Sequence, residues 1–203
     1  MKTRYLLPLL ALLWAGFVYP IATEPAASDG PMSYVAPNDK AVVVFLRPSK
    51  LGKAINFYVM DENKQFLTMF RGNQNTGVAV PPGKRTIYVV SENAELVRAE
   101  LAAGRTYIIV ARAKMGFGKA RVEVETVRRN TPSFAESATW IRDTKAADPD
   151  LDDGAKWVRK HESAIAKRIG NAEAEWSSGG ENYRAAHSLG VEDGRTQDEA
   201  GAL

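Results

Sequence analysis

Between residues 40 and 130 the apolar positions follow the two-residue period of β-strands, and short clusters of turn residues interrupt them at nearly regular spacing. Residues 41–46 are almost continuously apolar, as in a strand covered on both faces, and the run stops at Arg47 and Pro48. This strand is expected to be central. Ile55, Phe57 and Val59 alternate with Asn56 and Tyr58, and Asp61, Glu62, Asn63 and Lys64 supply a turn before residues 66–70 run back, which predicts a hairpin. A polar loop over 72–76 precedes a short strand at 77–80. At Pro81, Pro82, Gly83 and Lys84, proline fixes φ and glycine permits the positive φ of a type II turn, so the chain must reverse. Strands are then predicted at 85–90, 97–101, 106–111 and 120–126, with Gly116, Phe117 and Gly118 at the tip of the last hairpin. Seven or eight short strands without intervening helical patterns predict a mainly β fold, an antiparallel β-sandwich.

From residue 131 the period changes. Thr131 and Pro132 form a helix start, with Phe134, Ala138 and Ile141 on one face. A second helix is predicted from Asp148 and Pro149, with Asp150, Asp152 and Asp153 at the positive end of its dipole and an apolar stripe of Leu151, Val158, Ile165, Ile169, Ala172 and Trp176. Gly170 weakens its interior by about 1 kcal/mol relative to alanine, and residues 177–180 end it. The stripe calls for an apolar partner, either the β domain or another chain. The expected organisation is residues 1–28 as a signal, 29–39 as a linker, 40–130 as the sandwich, 131–178 as a C-terminal helical extension, and 179–203 as a polar, disordered tail.

The signal reading rests on Lys2 and Arg4 ahead of the apolar stretch 5–21, broken only by Pro8 and Gly16. Ala26 and Ser28 give an A-x-S cleavage site, a better fit than Pro20 with Ala22. The alternative is an uncleaved anchor in the inner membrane, because the 17 residues of that stretch reach the lower limit of about 17–25 for a membrane-spanning helix. Either way the chain is expected outside the cytoplasm, periplasmic or extracellular. It has no cysteine, so a lipid-carrying cysteine is missing and the fold must hold without disulfides. Cleavage after Ser28 would leave 175 of the 203 residues, and a chain of that length typically buries about 70% of its unfolded surface, enough for a core without staples.

The formal net charge of +3 conceals a division. Residues 40–130 carry 16 Lys and Arg against 7 Asp and Glu, whereas 131–203 carry 9 against 14. A basic body beside an acidic tail implies either intramolecular docking or a positive surface open to an anionic partner. Arg98, Arg112, Lys114, Lys119 and Arg121, on or beside the last three strands, are the candidate anion-binding patch, with Arg128 and Arg129 nearby. Export argues against nucleic acid and for lipid headgroups or acidic polysaccharide.

Candidate chemistry is sparse. His161 and His187 both fall in the tail, and spacing identifies no partner for either. No cluster of cysteine and histidine suits zinc, and no G-x-S-x-G marks a nucleophile. Glu123 and Glu125 project to one face of a strand, as a glycosidase pair might, but an ordinary solvated face gives the same spacing. The expectation is no catalytic residue, no metal and no cofactor.

Phe45, Leu46 and Arg47 closing the first strand, Pro82, Gly83 and Lys84 before a strand, and Gly104 followed by Tyr107 and Ile108 resemble the bacterial envelope family called domain of unknown function 2846. The resemblance covers residues 40–127, under half the chain. It implies a compact β-sandwich, an export signal and no established activity. Many members look like lipoproteins, and this chain departs from them in lacking the cysteine. No functional residue carries over. The leading expectation is therefore a noncatalytic binding or structural module of the cell envelope, with an envelope protein or anionic envelope polymer as partner. The alternative is a binder of anionic membrane or glycan through the basic face, and a hydrolase using Glu123 and Glu125 comes third.

Overall fold

The computed structural model describes residues 34–115, 120–148 and 151–203. The expected signal 1–28, the start of the linker, Lys119 and the hairpin tip at Gly116, Phe117 and Gly118 lie outside the described residues. No helix among the described residues is long and apolar enough to cross a membrane.

The chain is mainly strand, with a C-terminal helical part. The first sheet contains β1 (Ala41–Arg47), β4 (Gln74–Val80), β7 (Thr106–Met115), β8 (Ala120–Thr126) and the two-residue β9 (Lys145–Ala146), in the order β8-β7-β1-β4-β9. The second contains β2 (Phe57–Met60), β3 (Phe66–Phe70), β5 (Gly83–Val90), β6 (Ala94–Leu101) and β10 (Ser188–Leu189), in the order β10-β6-β5-β2-β3. The helices are α1 (Pro132–Asp143), α2 (Leu151–Lys160), α3 (Glu162–Ser178) and two short ones, α4 (Glu181–Ala186) and α5 (Gln197–Gly201).

One core cluster joins the sheets. Val43 and Phe45 of β1 and Ile109 of β7 meet Val59, Val89 and Val97 of the second sheet. The apolar continuity of β1 has a direct cause, since its alternate residues Val42, Val44 and Leu46 face a second cluster built with Ile108, Val110 and Ile141 of α1. Every residue of β1 is buried, and the strand lies in the middle of its sheet as expected. The hairpin of β2 and β3 also forms as expected, and before β5, where the chain crosses from the first sheet to the second, Gly83 takes the positive φ expected of it, +108°.

The strands are not all antiparallel. β1 pairs with β7, β4 with β9 and β6 with β10 in parallel. Side-chain alternation is the same for both pairings, so the sequence pattern carries no information on direction. The chain makes β1 and β7 neighbours by passing through the second sheet in between, which supplies the crossover a parallel pair requires without a helix.

Two expectations for the tail are corrected, on its helix count and its last residues, and the apolar stripe takes the first of its two expected partners. The second helix is two, broken at His161, whose φ of −113° and ψ of 17° leave the helical region. Its stripe packs on the second sheet: Ile165, Ile169 and Ala172 join Tyr58, Met60, Tyr88 and Leu96, while Leu151 stays exposed. Finally, residues 179–203 form α4, β10, a single 3-10 turn at Val191–Asp193 and α5, in place of a disordered tail. Polar anchors order this segment, because Arg129 pairs with Glu199 and donates to the carbonyls of Glu192 and Gly194, and buried Arg195 reaches Phe134 and Ser137 of α1. Thus the acidic tail docks on the basic body and lends β9 and β10 to its sheets.

Candidate functional site

The cations expected to form one patch are dispersed. Arg98 lies on β6 of the second sheet, donates to Thr86 and sits 5.9 Å from the ring of Trp176. It lines a 330 Å³ cavity with Lys84, Arg85, Glu62 and Glu100, so acids accompany its cations. Arg112 and Lys114 lie on β7 of the first sheet, and the acids of β8 neutralise both: Arg112 meets Glu125 at 3.0 Å, and Lys114 pairs with Glu123. Arg112 also covers Trp140, 5.4 Å from the ring centre, at a 370 Å³ cavity shared with Glu125, Arg128 and Glu136. Arg121 is exposed on β8 opposite Lys114, and Lys119 is outside the described residues. Glu123 and Glu125, the glycosidase-like pair, are thus each engaged by a cation.

A different group of cations converges at one end of the sheets. Strand register brings it about: Arg47 at the end of β1 pairs with Gln74 at the start of β4, Gln74 pairs with Lys145 of β9, and Phe57 pairs with Phe70 across β2 and β3. The loop from β1 to β2 and the turn from β3 to β4 therefore meet. Arg47 organises that loop from within. It is fully buried and donates to the carbonyls of Leu51 (2.6 Å), Gly52 (2.9 Å) and Ile55 (2.7 Å), with its guanidinium over Phe57. Burial pushes its pKa down. The turn presses against the same loop at Gly72, where a Cβ would stand 2.8 Å from Cα of Lys53 and 3.0 Å from the carbonyl oxygen of Ser49, so only glycine fits. Asn73 follows in the left-handed region at φ 63°, which asparagine tolerates well.

These constraints frame a cavity of 400 Å³ lined by Lys53, Arg71 and Lys145 together with Ala54, Gly72, Asn73 and Gln74. Among the described residues its lining holds three cations and no acid, and none of the three forms an ion pair. All three are exposed. A group of unneutralised cations around a recess attracts anions by Coulomb attraction and can donate several charge-assisted hydrogen bonds to a carboxylate, phosphate or sulfate.

A second cavity, of 490 Å³, lies on the other side of Arg71 and Gln74, which line both. Asn56, Tyr58, Met69, Phe70, Asp148, Asp153 and Trp157 complete its walls. Tyr58 stacks on Trp157 with ring centres 3.9 Å apart and planes 3° apart, and His161 stacks on Trp157 at 4.2 Å. The three-ring stack leaves the edge of Trp157 to line the cavity and holds that wall rigid. The Nδ1 of His161 faces the carbonyl of Trp157 at 2.7 Å, so this histidine caps the end of α2.

The other histidine is a docking contact. His187 lies 3.1 Å from Glu95 and stacks on Tyr183 at 4.2 Å, holding α4 and β10 to β6. Burial, followed by the nearby charges of Glu95 and Glu175, raises the Tyr183 hydroxyl to about 12. Among the described residues no group of three or more acidic or histidine side chains is placed to hold a metal ion.

The sequence reading missed Lys53, Arg71 and Lys145. Each stands beside a turn and carries no distinguishing pattern, and only the pairing of β9 with β4 brings Lys145 to the other two. Comparison of the chain with known protein families, with curated proteins and with solved structures finds no match in any of the three.

Proposed function

We propose that the protein is a noncatalytic binding module of the bacterial cell envelope that captures an anionic group at the end of its sheets. The observation that carries this reading is the recess of Lys53, Arg71 and Lys145, three exposed cations without ion-pair partners among the described residues. Preorganisation supports it, because buried Arg47 and the close approach at Gly72 fix the backbone under the recess. Its volume falls within the range of about 300–1,000 Å³ usual for ligand sites. The neutralised arginines and lysines of β7 and β8 favour the sheet end over the strand face as the binding surface.

In this reading the two sheets are the layers of a β-sandwich, the segment 5–21 directs export or holds the chain at the inner membrane, and the envelope-family resemblance of residues 40–127 describes the body. The test is binding of the full mature chain to anionic envelope polymers by calorimetry at several salt concentrations. Affinity should fall with salt and with Lys53→Ala, Arg71→Ala or Lys145→Ala, and be kept with Arg112→Ala. Turnover of an envelope glycan that Glu123→Gln with Glu125→Gln abolishes would replace this reading with the hydrolase.

A further inference from the structure

We infer that the ligand is an acidic saccharide that spans both cavities, with its anionic group in the Lys53, Arg71 and Lys145 recess and a hydroxyl-bearing ring beside Asn56, Asp148 and Trp157. The inference rests on the anion-binding reading above and adds the chemical class of the rest of the ligand. Arg71 and Gln74 are walls of both cavities, so a ligand held by the Arg71 guanidinium has the second cavity as its immediate surroundings.

The polar groups of that second cavity select the neighbour of the anion. Asp148 and Asp153 carry carboxylates, which only accept hydrogen bonds, whereas the amides of Asn56 and Gln74 both donate and accept. The Oε1 of Gln74 already accepts the backbone N–H of Arg71 at 3.1 Å, and this turns the Gln74 amide NH₂ toward use as a donor. A hydroxyl both donates and accepts, so a polyol satisfies carboxylate and amide together. A second anionic group would be repelled by Asp148, and an acyl chain would desolvate the Asp148 carboxylate without pairing it. Met69 and the part of Trp157 that the ring stack leaves open add apolar surface to the same cavity. A lipid phosphate shares the anionic chemistry of the first recess but not the hydroxyl pattern of the second.

The experiment titrates the full mature chain with glucuronosyl-xylotriose, which carries one carboxylate on otherwise neutral sugars, with the neutral xylotetraose, with inorganic phosphate and with phosphatidylglycerol vesicles, and then repeats each titration with Arg71→Ala, Asn56→Ala and Asp148→Ala. Asn56 is half-buried, while Arg71 and Asp148 are exposed, and unchanged thermal unfolding verifies that each variant is folded. The expected result is binding of glucuronosyl-xylotriose alone, weakened about tenfold or more by Arg71→Ala and by several-fold for each of the other two, as loss of one hydrogen bond from a charged or neutral partner predicts. Binding of phosphate or vesicles that depends on Arg71 but ignores Asn56 and Asp148 would overturn the saccharide while leaving the anion site in place. Failure of every anionic probe, or binding indifferent to Arg71, would overturn both.

Discussion

The guanidinium of Arg47 stands 4.2 Å over the ring centre of Phe57, an arginine with no carboxylate partner among the described residues, closing one end of the shared core. A buried cation without a counter-ion is costly, and here an aromatic face and three backbone carbonyls compensate it. Arg47→Met keeps the volume but orphans the carbonyls of Leu51, Gly52 and Ile55. It should destabilise the protein by about 2–4 kcal/mol, read as a lower urea midpoint, with faster amide exchange over residues 48–56. Arg47→Lys should not restore the wild type, because a single ammonium cannot reach three carbonyls in a fork. A wild-type midpoint in Arg47→Met would remove the arginine from its role as organiser of the recess.

Two glycines within the C-terminal helices respond oppositely to the same substitution. Gly154 of α2 is buried where a Cβ would stand 2.8 Å from Cε1 of Phe66, whereas nothing lies within 4 Å of one added at Gly170 of α3. Gly170→Ala gains helix propensity alone and should stabilise by about 0.5–1 kcal/mol. Gly154→Ala has the same gain but forces α2 off β3, and a net loss of about 1–3 kcal/mol is expected. Paired thermal melts measure both, and a stabilised Gly154→Ala would contradict the packing of α2.

Arg129 and Glu199 fasten the last residues by a bidentate pair, both contacts at 2.9 Å. The Arg129 hydrogen bond, then the backbone N–H of Thr196, holds the Glu199 carboxyl down to about 2. Its folded pKa lies below the ordinary value of about 4.3, so its contribution is present above that value and is lost as pH falls toward 2. Arg129→Ala should cost about 2 kcal/mol and speed amide exchange across residues 190–200 at neutral pH. Glu199→Gln should reproduce the release and lessen the acid sensitivity of that segment. Exchange that leaves 190–200 as protected as in wild type would mean the apolar contacts there suffice.

The β body was legible because side-chain alternation reports burial, and β1 announced its central position through residues 41–46. Strand direction was not legible, and neither were β9 and β10, since two residues cannot display a period. The tail looked disordered because its anchors are polar: Asp193, Arg195 and Glu199 find partners far away in the chain at Arg129, Phe134 and Ser137. The expected cation patch failed for a related reason, because Glu123 and Glu125 neutralise Lys114 and Arg112 across the β7 and β8 ladder. Lys53, Arg71 and Lys145 come from three separate segments, and nothing local to any of them indicates the recess.

Neutralisation of His187 should loosen the docked tail. Both ring nitrogens face acceptors, Nδ1 the carbonyl of Tyr183 at 2.9 Å and Nε2 the Glu95 carboxylate at 3.1 Å, and only the imidazolium donates to both. Burial is the largest single influence and disfavours the charge, but the Glu95 hydrogen bond, the Tyr183 carbonyl and the charges of Glu95 and Glu175 together outweigh it, so the pKa is raised. A raised folded pKa gives stability that is fully present below the unfolded value of about 6.5 and is lost as pH rises through the folded one. Wild type should therefore exceed His187→Gln in melting temperature most at about pH 6, with the difference shrinking at higher pH. Glu95→Gln should flatten the same profile by removing the acceptor charge. β10 reports the event directly, because the His187 carbonyl accepts from the N–H of Arg98 at 2.9 Å, and exchange at Arg98 should quicken as the imidazole loses its proton. A difference between wild type and His187→Gln that is constant with pH would show that the ring acts by packing on Tyr183 alone.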